Sequence, residues 1–147
     1  MTQLLSTPKV RAAGEGDRFQ MLTHTMVVKI DPDDTQNQWL MYEVSDSLGN
    51  GAPLHTHPWE ETFYLLSGEL EVTIGRREVV AAAGTSIYFP ADVAHSFRVS
   101  SPEAKLLIIL PSFSNAFYRE VGSSGVQLPA DLEEFFAICD RHEVRIL

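Results

Sequence analysis

Apolar residues between Phe19 and Leu110 fall into short runs, and each run ends at Gly, Pro, Asn, Asp or Ser. Runs at 19–30, 38–45, 53–57, 60–67, 69–74, 77–82, 85–89, 94–100 and 104–110 read as strands. The breaks include Asp31-Pro32-Asp33-Asp34, Leu48-Gly49-Asn50-Gly51, Ser67-Gly68, Gly75-Arg76 and Pro90-Ala91-Asp92, all turn chemistry with a backbone reason. Many short strands about 8–12 residues apart describe an all-β sandwich or barrel. After Pro111 the period changes. Residues 112–120 read as a short helix with Phe113 and Phe117 on one face. Residues 130–142 read as an amphipathic helix on Leu132, Phe135, Phe136 and Cys139, opened by Pro129 and by acidic Asp131, Glu133 and Glu134, which suit a helix N-terminus. That helix is expected to pack on the barrel and close one end. Residues 1–18 carry Pro8, Gly14 and Gly16 and read as an irregular lead-in able to pair with a sheet edge of this subunit or another. The expected organisation is therefore a lead-in (1–18), a barrel (19–111) and a helical extension (112–147).

Composition narrows the function more than the fold. A chain of 147 residues with 44% hydrophobic and 21% charged residues suits one domain with a real core. The net charge of −9 speaks against a nucleic-acid partner, which needs clustered Lys and Arg, and against an anionic membrane surface. The single cysteine, Cys139, forms no internal disulfide, as expected for a reducing compartment. The first 18 residues hold no apolar stretch fit for a signal peptide, and LLIIL at 106–110 is far short of the ~20 residues that span a bilayer. A cytoplasmic protein is the expectation.

The chemistry concentrates in four side chains. His55 and His57 are two apart, so on a strand they share a face. Parity carried past Pro58 adds Glu61 to that face and excludes Glu60. His95 comes from a later strand, after the Pro90-Ala91-Asp92 turn, and a barrel can bring it beside the other three. Three imidazoles and one carboxylate suit one divalent first-row ion: iron, manganese, nickel, cobalt, copper or zinc. Four protein ligands on an octahedral ion leave two positions for water, substrate or dioxygen. His24 and His142 read as ordinary surface or hydrogen-bonded histidines.

Two motifs in this chain resemble those of the cupin family. The first is Gly49, His55, His57, Glu61 and Gly68 within GNGAPLHTHPWEETFYLLSG; the second is Gly84, Pro90, Asp92, His95 and Val99, beginning GTSIYFPADVAH. Asp92 stands where the family has Gly, and Asp tolerates left-handed backbone better than most residues. Val99 stands where the family has a weakly kept Asn. The resemblance covers roughly residues 20–110. It implies a double-stranded β-helix, a jelly-roll barrel, with the metal inside and His55, His57, Glu61 and His95 as its ligands.

Around these residues lie Met41, Tyr42, Phe63, Leu65, Ile87, Tyr88, Phe89 and Phe97, which line a pocket or simply fill a core. Trp59 is placed to cover the metal or to meet another subunit. Arg76 and Arg77 fall in a turn, and Arg98 has the wrong parity to face His95. The resemblance extends to quercetin 2,3-dioxygenase-like cupins, which implies a metal-dependent dioxygenase for a small aromatic or enolic substrate, with Glu61 as both ligand and general base. A non-catalytic binding or sensing module is the alternative, as is a metal-dependent isomerase or lyase. A homodimer formed through sheet edges is expected, with 1–18 as a candidate exchanged segment. Elemental analysis of protein purified without added metal should find a transition metal. Changing His55 and His57 together to Ala should remove it while leaving the protein soluble; full retention of metal would refute the assignment.

Overall fold

Strand β3 (Trp39–Ser47) buries Leu40, Tyr42, Val44 and Asp46 and turns the intervening residues outward. Strand β10 (Glu103–Pro111) does the same with Ala104, Leu106, Ile108 and Leu110, and the two pair antiparallel along their length. This period of two, repeated in neighbouring strands, makes one face of a sheet apolar. The computed structural model describes residues 7–147; residues 1–6 of the lead-in lie outside the described residues.

The remaining strands in chain order are β1 (Arg18–Met21), β2 (His24–Ile30), β4 (Gly51–Thr56), β5 (Glu61–Ser67), β6 (Glu69–Ile74), β7 (Arg77–Ala82), β8 (Ser86–Phe89), β9 (His95–Val99) and β11 (Arg145–Ile146). Helices α1 (Asn115–Ser124) and α2 (Leu132–Arg141) precede β11. Among the described residues the strands form a six-stranded sheet, β1-β2-β3-β10-β5-β8, and a five-stranded sheet, β11-β4-β9-β6-β7. Every pairing is antiparallel. The expected all-β jelly roll with a helical extension is the fold observed. Its core lies between the sheets, where Tyr42, Phe63, Leu65, Leu70, Val72, Phe89 and Leu106 are buried. Each large apolar side chain so placed contributes about 1.5–3 kcal/mol.

Four details differ from the sequence reading. The run 19–30 is two strands: β1 and β2 form a hairpin whose closing pair is Met21 and His24. Leu22 takes φ 56 at its tip, a left-handed conformation that a leucine does not advertise. Helix α2 buries Phe135, Ile138 and Cys139, while Leu132 and Phe136 are exposed, so its inner face is rotated from the expected one. Phe113 sits exposed in a short 3-10 turn (Ser112–Ser114) ahead of α1 and Phe117 is buried from α1, so they belong to different elements although both rings lie against Trp59. Strand β11 is too short to carry a periodicity signal. Residues 7–17 are irregular and pack on their own chain: Arg11 Nη1 donates to the Lys29 carbonyl at 3.0 Å and pairs with Asp34 at 2.6 Å, while Lys29 Nζ reaches the Ala12 and Glu15 carbonyls at 2.8 Å.

Gly51 stands opposite Arg98 where β4 meets β9, and a Cβ there would lie 1.9 Å from the Phe97 carbonyl oxygen and 2.9 Å from Arg98 Cα. Backbone cannot yield as a flexible side chain does. Gly51→Ala should cost about 1–3 kcal/mol, read as a lower denaturation midpoint at unchanged slope.

Candidate metal centre

Strand β4 delivers His55 near its end, and His57 follows just beyond it. His55 is in register with His95 on the neighbouring β9, so the two imidazoles start from adjacent backbone. Glu61 is supplied by the other sheet, as the first residue of β5. The barrel thus brings all four sequence-selected residues together. The parity step from His57 to Glu61 does not describe the path, because the chain turns at 57–60 and changes sheets. Glu61 faces inward through the alternation of β5 itself, which buries Glu61, Phe63 and Leu65 and exposes Tyr64. Glu60 is exposed and accepts a hydrogen bond from Tyr88 Oη at 2.5 Å. Asp92 takes φ 65, and its amide donates to the His57 carbonyl at 2.9 Å, so the left-handed turn also fixes the backbone of a site histidine.

The imidazoles are held in one tautomer by backbone carbonyls. Nδ1 of His55 lies 2.7 Å from the Pro53 oxygen, Nδ1 of His57 lies 2.8 Å from the Trp59 oxygen, and Nδ1 of His95 lies 2.9 Å from the Val93 oxygen. A carbonyl only accepts, so each Nδ1 carries the proton and each neutral ring keeps its lone pair on Nε2. Nε2 of His57 and Nε2 of His95 are buried without a hydrogen-bond partner. Ligand nitrogens of the three rings lie within 4.8 Å of one another. Glu61 Oε1 is 3.4 Å from His95 Nε2 and 3.9 Å from His57 Nε2. Orphaned nitrogens converging beside a buried carboxylate fit a divalent ion, and second partners on the opposite ring nitrogen are the usual support of metal-binding histidines.

The electrostatics follow from burial. Burial would push the Glu61 carboxyl up, and His57 and His95 together outweigh it and hold Glu61 well below the usual carboxylate range. Burial opposes charge on His95 as well, but Glu61 raises its pKa above the ordinary imidazole value. Burial, with the neighbouring His95, lowers His55 to about 4. Two aromatic residues complete the surround. Tyr118 of α1 donates from Oη to Glu61 Oε2 at 3.0 Å and accepts from Trp59 Nε1 at 3.3 Å. Trp59 is buried and stacks on His57, with centroids 4.5 Å apart and planes 9° apart. Burial and the Glu61 charge raise the Tyr118 phenol well above its usual range, keeping the proton it donates. Nothing in the sequence singled out Tyr118; its role depends on α1 folding back across the barrel.

An apolar cavity adjoins the cluster. It is lined by His55, His57 and Glu61, by Phe63 and Phe97, and by Phe117, Tyr118, Phe135, Val144 and Ile146 from the C-terminal segment. Its volume is about 90 Å³. That is room for several waters or one small ring. Of the aromatic candidates, Phe63 and Phe97 line it; Tyr42 and Phe89 are core, and Tyr88 is exposed. Arg98 points outward to Glu71 at 2.6 Å.

Two antiparallel sheets wrapped as a jelly roll around inward-facing histidines define a class of barrel proteins. The chain is similar to the cupin family. Residues 44–110 match the family model for the cupin domain. Quercetin 2,3-dioxygenase of Bacillus subtilis (strain 168) is 28% identical over 119 residues, covering 80% of this chain and 35% of the relative. An uncharacterized protein of Streptomyces coelicolor, SCO3923, is 32% identical over 53 residues, covering 36% of this chain and 50% of the relative. The chain therefore spans a third to a half of these curated relatives. Among solved structures, KdgF from Halomonas sp. superposes with a TM-score of 0.65 at 14% identity, covering 72% of this chain and 94% of that one.

Removing the Tyr118 hydroxyl should loosen the carboxylate. Tyr118→Phe is expected to weaken metal binding roughly 10–100-fold, measured by competition with a chromogenic chelator. Metal binding needs neutral imidazoles, so protons compete for His95, whose pKa is raised, but not for His55 above about pH 4. Metal affinity should therefore begin to fall while pH is still above the ordinary imidazole value of ~6.5, because the raised His95 takes a proton early, and should recover on return to alkaline pH.

Proposed function

We propose that this protein is a metal-dependent dioxygenase acting on a small aromatic or enolic substrate, with His55, His57, Glu61 and His95 as ligands of one divalent transition-metal ion. The observation that carries the reading is the placement of His55, of His57 with its orphaned Nε2, and of the buried Glu61 carboxylate on the wall of an apolar cavity, with the orphaned Nε2 of His95 behind them. The 28% identity to a quercetin 2,3-dioxygenase supports oxygenation as the reaction class. A bound first-row ion supplies Lewis acidity towards a substrate hydroxyl and the capacity to engage dioxygen.

The chain's own residues do the rest. Glu61 Oε1 faces the imidazoles and accepts the proton of the substrate hydroxyl, which needs hydrogen-bond reach and, because the carboxylate's own pKa is low, a hydroxyl made acidic by the ion. Tyr118 holds Oε2, so the carboxylate presents one oxygen and keeps its orientation. Phe63, Phe97, Phe117 and Phe135 exclude water and offer faces to a flat ring. The compact cavity favours a single-ring substrate over a three-ring flavonol unless the α1–α2 wall moves. We read the protein as cytoplasmic and homodimeric; a single-protomer mass by light scattering would remove the dimer.

Oxygen uptake tests the activity. Protein loaded in turn with iron, manganese, nickel, cobalt or copper should consume dioxygen with a catechol, an enolic diketone or a flavonol. Glu61→Gln should lower the rate by roughly 10²–10⁴-fold. No uptake across the panel, with ligand-induced thermal stabilisation instead, would make the protein a binding module.

A further inference from the structure

The same cavity has a second polar group that the metal reading does not use. His24, at the start of β2, is only 8% exposed, yet it lines the cavity beside Met21, Leu22, Ala52 and Phe97. Its ring stacks on Phe97 with centroids 5.7 Å apart and planes 28° apart. Nδ1 lies 2.6 Å from Asp46 Oδ2, close enough for an ion pair though off the line of a full hydrogen bond.

Asp46 is itself immobilised. Oδ2 accepts from Thr23 Oγ1 at 2.8 Å, and Oδ1 accepts from the Ser47 amide at 2.8 Å and from Asn50 Nδ2 at 2.9 Å. Burial works against its charge, and the His24 ring, the Ser47 amide and the Thr23 hydroxyl outweigh it, so the carboxyl stays below its ordinary range. The negative charge of a fixed carboxylate 2.6 Å from Nδ1 favours the tautomer with the proton on that nitrogen, which leaves the lone pair on Nε2, the nitrogen away from Asp46. The same charge is placed to pair with the ring once Nε2 has taken a proton, the arrangement by which a carboxylate supports a histidine base.

We propose that His24, oriented by Asp46, is a second proton acceptor of this cavity and receives the proton of a further acidic hydroxyl on the ligand. In the step, the ligand O–H bond breaks, the electron pair stays on oxygen, and the proton forms N–H on His24 Nε2. The imidazolium is then paired with Asp46, and no oxidant or reductant takes part. The ligand class that follows is a compact dihydroxy aromatic or enediol, able to lose one proton at the metal side and one at His24. This rests on the reading of the cavity as the substrate site.

The test uses the full chain loaded with zinc, held anaerobically, with 4-nitrocatechol as the probe, because its neutral, monoanionic and dianionic forms have distinct visible spectra. The wild-type protein should bind the probe as the dianion. His24→Gln keeps a hydrogen-bonding side chain but cannot take a proton, and it should bind the probe as the monoanion with metal content unchanged. D46N should do the same by removing the charge that supports the imidazolium. A dianion spectrum in both variants would make His24 a packing residue and overturn the proposal. A monoanion on the wild-type protein would overturn it while leaving the cavity as the binding site. No binding to the wild-type protein would overturn it together with the substrate reading.

Discussion

A carboxylate buried in an apolar barrel has to be compensated, and the centre of this molecule is arranged around that requirement. Glu61 sits between sheets whose other inward residues are mostly Phe, Leu, Val and Tyr. An ionised group in such surroundings carries a large desolvation penalty unless donors or opposite charge surround it. A tyrosine donates to one oxygen, and the other faces two imidazole nitrogens that compensate it only when they carry a proton or share a cation with it. The imidazoles are in turn fixed by main-chain carbonyls rather than by mobile side chains. The site therefore inherits its geometry from strand register, which is the most rigid thing the fold has to offer.

The two sheets contribute unequally. The five-stranded sheet carries His55 and His95, with His57 just past the end of β4, while the six-stranded sheet brings Glu61, His24 and Asp46. Neither sheet closes the cavity. That falls to the segment after Pro111, whose α1 supplies Phe117 and Tyr118 and whose α2 supplies Phe135. The helical extension is thus a wall of the cavity as well as a cap on the barrel. Trp59 links the two roles, lying flat on His57 and donating to Tyr118.

How far the sequence could be read depended on how local each signal was. Strands β3 to β10 announced themselves because turn residues bracket them and their apolar residues sit in short runs. The four site residues were legible because spacing and chemistry agree: an i, i+2 histidine pair, a nearby carboxylate and a histidine after a left-handed turn. Tyr118 was not, since its contact with Glu61 is made across 57 residues of sequence and depends on how a helix returns to the barrel. The β1–β2 hairpin was hidden because Leu22 adopts a backbone state normally signalled by Gly, Asn or Asp. His24 was set aside for the same reason: only once that turn is known does it face inward across from Phe97, with Asp46 behind it.

Strand β11 has a consequence for how the molecule comes to be assembled. Ile146 pairs with His55, Arg145 pairs with Thr56, and the Leu147 amide donates to the Leu54 carbonyl at 2.9 Å. One edge of the strand that bears the first site histidine is thus completed by a segment that follows both helices. Contacts so distant along the chain form late, after the entropy of closing the intervening loop has been overcome. A nascent chain with its first ten strands already folded would still present His55 on an open edge, so the order of chain synthesis separates the making of the barrel from the finishing of the site.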